Sequence, residues 1–158
     1  MKRIIAVVGF VLLALSWMAM ARGLNPIQVR TERFSTAQID ATVKKLVSDK
    51  QTGTPVIGAA TDAYYVMVAH RDAKGEAEVH AEMDDVFVAR EGHAQVIIGG
   101  ELVSGHETSA GELRGPSIKG GQPYDIGPGE VLRIPHGTPH QTIPKGQFTY
   151  LVVKVRSR

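Results

Sequence analysis

Apolar and polar positions begin to alternate at Tyr64, and the pattern continues nearly to the end of the chain. Tyr64-Tyr65-Val66-Met67-Val68-Ala69 is rich in aromatic and β-branched residues, and Asp72-Ala73-Lys74-Gly75 closes it as a turn. Residues 76–82 and 85–90 read as the next two strands. Glu91-Gly92 reads as a turn into 94–98, and Gly99-Gly100 as a turn into 101–104. Residues 105–121 are polar and Gly-rich with little regular pattern, and such a stretch inside a compact domain is usually functional or mobile. Residues 122–126, 131–134, 140–143 and 148–155 complete the strands. Short strands about 8–12 residues apart, separated by Gly and Pro, predict an all-β barrel or sandwich.

Ahead of the strands the period changes. Gly23 to Arg33 reads as an extended arm, in which Pro26 blocks an early helix. Ser35-Thr36-Ala37-Gln38 fits a capping box, with Phe34 placed to staple onto Ile39. Ile39, Val43 and Leu46 then recur at helical spacing, which predicts a helix over 36–49 packed outside the barrel or against a second subunit. Earlier still, the basic start Met1-Lys2-Arg3 leads into an almost unbroken apolar run from Ile4 to Met20. Ala19-Met20-Ala21 supplies the small-x-small pattern of a signal-peptidase site. The alternative is a retained anchor, since about 18 apolar residues just span a bilayer. The expected division is a signal peptide at 1–21, an arm and helix at 22–52, and a β-barrel domain at 53–158. A chain so divided, cleaved after Ala21, is periplasmic or secreted and has no membrane contact once cleaved.

Charge adds one exclusion. The formal net charge is +2, from 18 Lys and Arg against 16 Asp and Glu. Loss of Lys2 and Arg3 with the leader brings the two into balance. No basic stripe interleaved with aromatics remains, so nucleic acid is not an expected partner. About 137 residues are enough for one domain with a real core. The chain has no cysteine, so disulfides, thiolate ligands and cysteine nucleophiles are all excluded. A metal would have to be held by nitrogen and oxygen.

Residues two apart on a strand point the same way, so Glu78, His80 and Glu82 share one face, as do Asp85, Phe87 and Ala89 on the strand that follows. If those faces line a barrel, the buried carboxylate and imidazole need a partner that offsets their desolvation. A divalent cation would do this, and so would a simple hydrogen-bonded pair of His80 with Asp85. His140 follows a Pro-rich turn that aims it across the barrel, while His136 on that turn belongs to the rim. His70, His93 and His106 are expected on the surface, and Asp84 facing out. Arg114 is placed either to clamp a carboxylate or to pair with Glu112. Imidazole and carboxylate ligands suit Fe, Mn, Ni, Cu or Zn, and ligand type does not choose among these.

Two stretches of this chain resemble the two motifs of the cupin superfamily, in particular the single-domain type-2 cupins with an RmlC-like jelly roll. Gly129, Pro135, Gly137 and His140 fill every slot of the second motif. His80, Asp85 and Gly92 match the first in spacing, with Glu78 standing in a histidine slot and Asp85 in a glutamate slot. The resemblance implies an all-β cupin-type jelly-roll barrel, here with one N-terminal helix. It also implies a metal held by His80, Asp85, His140 and Glu78. Glu82, which shares the strand face of Glu78, is its substitute. The departures are Glu78 and Asp85 themselves, Asp72 where a glycine is expected, and Pro144 where an asparagine is common.

Two functions follow from this reading. One is an exported metal-dependent enzyme, a dioxygenase, isomerase or related activity, acting on a small oxygenated molecule with Glu82 or another carboxylate as base. The other is a non-catalytic cupin that binds a sugar or organic acid. The resemblance and the exposed sheet edges point to a homodimer.

Overall fold

The computed structural model describes residues 31–157, so the expected signal peptide and most of the expected arm lie outside the described residues. Among the described residues one helix, α1 (Thr36–Asp49), precedes eleven strands. These are β1 (Gly53–Ile57), β2 (Tyr64–Arg71), β3 (Ala77–His80), β4 (Met83–Ile98), β5 (Glu101–Val103) and β6 (His106–Ser109). They continue with β7 (Glu112–Gly115), β8 (Ser117–Lys119), β9 (Gln122–Ile126), β10 (Val131–Ile134) and β11 (His140–Arg156). Nine of them form one sheet along the path β1-β2-β11-β3-β7-β6, with β4 joined to β11, β9 and β10, while β5 and β8 pair separately. All pairings are antiparallel. The all-β class and the single N-terminal helix are as the sequence predicts.

Two long strands, β4 and β11, run antiparallel along their whole lengths, from Met83 opposite Arg156 to Ile98 opposite His140. The sequence suggested a turn at Glu91-Gly92, but the chain passes straight through it with a bulge. Thr149 lies opposite Glu91 and Tyr150 opposite Ala89, so Arg90 is the extra residue. Gly92 has φ +74°, and a Cβ there would sit 1.8 Å from the carbonyl oxygen of Gln147, so only glycine fits. The bulge shifts the inward phase of β4. Phe87 and Ala89 point into the core before it, and Ala94 and Val96 after it. The partner strand keeps one phase, with Phe148, Tyr150 and Val152 in the same core. Phe87, Tyr150 and Phe148 form a ring chain with centroids 4.7 Å apart in both pairs, each pair adding about 0.5–1.5 kcal/mol beyond its buried area.

Residues 105–121, read as patternless, contain three strands. Their side chains give no alternation because little of them is buried, and all four residues of β6 are exposed. β1 was also missed, since Pro55 argues against a strand. β1 is an edge strand paired with β2 alone, and the register shifts between Pro55 and Ile57, where a missing N–H is tolerated.

The helix has the bounds and cap expected. Ser35 accepts from the Gln38 backbone N–H, and the Gln38 side chain returns to the Ser35 backbone. Ile39 and Leu46 pack on Val68, with Phe34, Val43 and Leu151 around them. Val68 and Leu151 face away from the barrel interior, so α1 covers the outer face of β2 and β11. Among the described residues no helix is long and apolar enough to cross a membrane.

Candidate metal centre

Two polar walls face each other inside the barrel. On one wall, β3 lies between β11 and β7, so Glu78 is opposite both His140 and Arg114, and His80 is opposite Glu112. On the other wall a single rung carries Tyr65 of β2, Lys154 of β11 and Asp85 of β4. The next rung on the same face is Met67, Val152 and Phe87, which is wholly apolar. Both rungs line a cavity of about 500 Å³ together with Glu78, His80 and His140.

Hydrogen bonds on the far side of each ring fix both histidine tautomers. The Nδ1 of His80 lies 2.6 Å from Glu112 Oε2, and the Nδ1 of His140 lies 3.1 Å from the Thr138 carbonyl oxygen. Each oxygen can only accept, so each Nδ1 carries the proton and donates it. In the neutral rings both Nε2 atoms are therefore bare lone pairs. That of His80 is buried and has no hydrogen-bond partner among the described residues. It lies 3.5 Å from Glu78 Oε2 and 3.4 Å from Asp85 Oδ2, while the His140 Nε2 is 3.7 Å from the same Asp85 oxygen. A lone pair aimed at two carboxylates is repulsive, so this nitrogen calls for either a proton or a metal ion between it and them.

Both carboxylates stay ionised. Burial works to raise the pKa of Glu78, but His80, Arg114, His140 and Arg71 outweigh it and hold the group well below the usual carboxylate range. Arg71 donates to Glu78 at 2.9 Å and to the Tyr150 hydroxyl at 3.0 Å, and Arg114 Nη2 is 3.6 Å from Glu78. Asp85 is likewise lowered against its burial, by His80 and Lys154. Its second oxygen accepts from the Lys154 ammonium at 2.6 Å. The two histidines diverge. Burial also opposes charge on His80, but Asp85 and Glu78 overcome it and raise the pKa to about 9. Burial dominates at His140 and lowers its pKa.

The donor set fits a divalent ion. The ligand atoms of Glu78, His80 and His140 all lie within 4.8 Å of one another. Nitrogen and oxygen donors bound to one ion at about 2.1 Å stand about 3–4 Å apart, the spacing seen between the His80 Nε2 and its two carboxylates. The buried nitrogen of His80, facing two carboxylates, is a position that a proton holds in the empty site and that a metal ion can take over. Glu112 and Arg71 behind the donors are the orienting contacts that metal ligands require.

The structure thus brings Glu78, His80 and His140 to one point and sets Asp85 beside them, shared with Lys154. Glu82 is not there. β3 ends at His80, and Glu82 turns out to solvent to pair with Arg156, so it is not a substitute ligand. Asp84 faces outward and binds Arg133 and His136 on the rim. His93 and His106 are exposed, as expected. His70 is not: it is buried, with Nδ1 2.9 Å from Thr149 Oγ1, under the edge of the helix. Arg114 pairs with Glu112, at 3.5 Å, and with Glu78 as well. Tyr64, at the start of β2, is exposed. Lys154, Arg71 and the bond from Glu112 to His80 were all missed. The alternation carried a signal for Lys154, because it occupies the inward phase set by Tyr150 and Val152.

No protein-family model matches the chain, and no curated protein matches it in sequence. Solved structures do match. A protein from Bacillus halodurans superposes with a TM-score of 0.54 at 15% identity, over 80% of this chain and 83% of that one. The cupin domain of Cnp3 from Schizosaccharomyces pombe gives 0.50 at 8% identity, over 66% of this chain and 64% of that one. A cupin-2 domain containing protein from Shewanella frigidimarina gives 0.47 at 19% identity, over 73% and 92%. With its long paired strands, its antiparallel curl and its likeness to the Schizosaccharomyces pombe cupin domain, the chain has the cupin fold.

Proposed function

We propose that the protein is an exported metal-binding cupin that receives a small oxygenated molecule at a divalent ion held by Glu78, His80 and His140, with Asp85 alongside. The observation that carries this reading is the buried Nε2 of His80, which has no hydrogen-bond partner among the described residues and stands between two ionised carboxylates. Once bound, the ion supplies a Lewis acid that polarises an oxygen of the guest. The chain's own residues do the rest. Glu112 and the Thr138 carbonyl hold the two rings in the coordinating tautomer. Arg71 fixes Glu78, and Met67, Phe87 and Val152 form a dry wall against which the guest packs. Export is supported by the basic start, the apolar run and Ala19-Met20-Ala21. Cell fractionation tests it: a full-length protein retained in the cytoplasm would overturn it.

A second reading, a binding module without metal, draws on the Lys154–Asp85 pair, which gives one carboxylate a resident cation. Metal analysis of protein purified without added metal separates the two. The metal reading expects stoichiometric metal in the wild type and its loss in the His80→Ala/His140→Ala double variant. Equal, negligible metal in both would leave only the binding module.

A further inference from the structure

Lys154 is the buried charge that metal binding leaves unexplained. Lysine is almost never buried unless paired, and Lys154 is 8% exposed on the inner face of β11. Its single hydrogen bond among the described residues goes to Asp85 Oδ1, so two of its three ammonium protons are unspent. The other oxygen of Asp85 faces the two histidine Nε2 atoms. A divalent ion on that side therefore draws on the same carboxylate that neutralises the lysine. On the same rung Tyr65 lines the cavity, and its hydroxyl has no hydrogen bond among the described residues. Burial, and then the charges of Asp85 and Glu112, push the Tyr65 pKa up to about 12, so it remains a donor at neutral pH.

The charge balance of the cavity agrees. Its lining carries the carboxylates Glu78, Glu82, Asp85 and Glu112. Against them stand Arg71, Arg114, Lys154 and Arg156. These cancel with the histidines neutral, so a divalent ion leaves the cavity with two excess positive charges. A carboxylate guest offsets one of them where an uncharged guest offsets none.

We infer that Lys154 and Tyr65 form an oxyanion subsite, and that the guest of this cavity is a small carboxylic acid whose carboxylate they hold beside the metal. This rests on the metal reading above and names the substrate class for it. The Lys154 ammonium supplies charge and two N–H donors, and Tyr65 an O–H donor. The apolar rung of Met67, Val152 and Phe87 takes the guest's carbon skeleton.

The test uses manganese(II) as the metal and acetate as the probe, with acetamide as its uncharged counterpart. Manganese uptake is measured first for the wild type and for Lys154→Met, Lys154→Arg and Tyr65→Phe. Acetate affinity is then read from paramagnetic broadening of its methyl resonance. We expect broadening by the loaded wild type, about tenfold weaker acetate binding in Lys154→Met with manganese still bound, and near-normal binding in Lys154→Arg. Tyr65→Phe weakens acetate by about threefold through the loss of one donor. Acetamide does not compete. Absence of manganese uptake by the wild type would sink the metal reading itself. Uptake with equal acetate binding in wild type and Lys154→Met, or equal binding of acetate and acetamide, would sink the carboxylate subsite alone. If Lys154→Met does not fold, Tyr65→Phe decides: unchanged acetate affinity there overturns the subsite.

Discussion

His80 is anchored to Glu112 by a hydrogen bond of 2.6 Å between Nδ1 and Oε2, joining a residue of the first sequence motif to a strand that the sequence did not reveal. The bond fixes the tautomer and makes the opposite nitrogen a better donor. Glu112→Ala should therefore weaken divalent metal binding by about 10–100-fold while the barrel remains folded. Competition against a chromogenic chelator measures this, and an unchanged affinity would show that the carboxylate has no part in orienting the ring.

Metal uptake should depend on pH through His80. In the metal-free protein Asp85 and Glu78 overcome burial and raise this imidazole to about 9, so it carries a proton at neutral pH. Coordination needs the bare nitrogen, and binding at pH 7 should release about one proton. Apparent affinity should rise with pH and level off above about 9. Calorimetry in two buffers of different ionisation enthalpy reports the proton count. No proton release at pH 7 would mean that His80 is either neutral beforehand or not a ligand.

Asp84 predicts a separate, acid-side effect. Hydrogen bonds from the backbone and ring of His136, and from Arg133, lower its pKa to about 2. A carboxylate lowered on folding stabilises the fold above its unfolded value of about 3.9, and that stability is lost as pH falls through the folded value. Its partners are half-exposed or more, so screening limits the effect to about 1 kcal/mol at pH 7. Asp84→Asn should lower stability by that amount near neutrality and flatten the stability curve between pH 4 and 2. Urea titrations across that range measure the difference.

Gly92 should be intolerant of any side chain. Its positive φ and the carbonyl of Gln147, 1.8 Å from where a Cβ would stand, impose both strain and a clash. Gly92→Ala should cost about 3 kcal/mol or more. Thermal melting measures it. A variant as stable as the wild type would mean that β4 and β11 pair without the bulge.

The fold class and the helix were legible because each rests on local pattern. The bulge was not. Before Gly92 the inward residues of β4 are Asp85, Phe87 and Ala89, and after it Ala94 and Val96, so the alternation breaks phase as it would at a turn. Backbone pairing across the two long strands is a non-local fact. The candidate donors His80 and His140 were readable from strand phase, from the turn ahead of His140 and from the resemblance to the two cupin motifs. Their supports were not, because Glu112 sits in a segment whose side chains mostly face water. Glu82 misled because strand phase was extended two residues beyond the true end of β3 at His80.

Each side chain framing the polar centre stands on a strand: Tyr65 and Arg71 on β2, Glu78 and His80 on β3, Asp85 on β4, Glu112 and Arg114 on β7, and His140 and Lys154 on β11. Among the described residues no connecting loop contributes a ligand side chain. The donors are woven into the ladder, so the rim is free to lengthen, shorten or be replaced wherever the Thr138 carbonyl behind His140 is kept. A scaffold built this way can be re-aimed at differently shaped guests by grafting new loops onto an untouched interior.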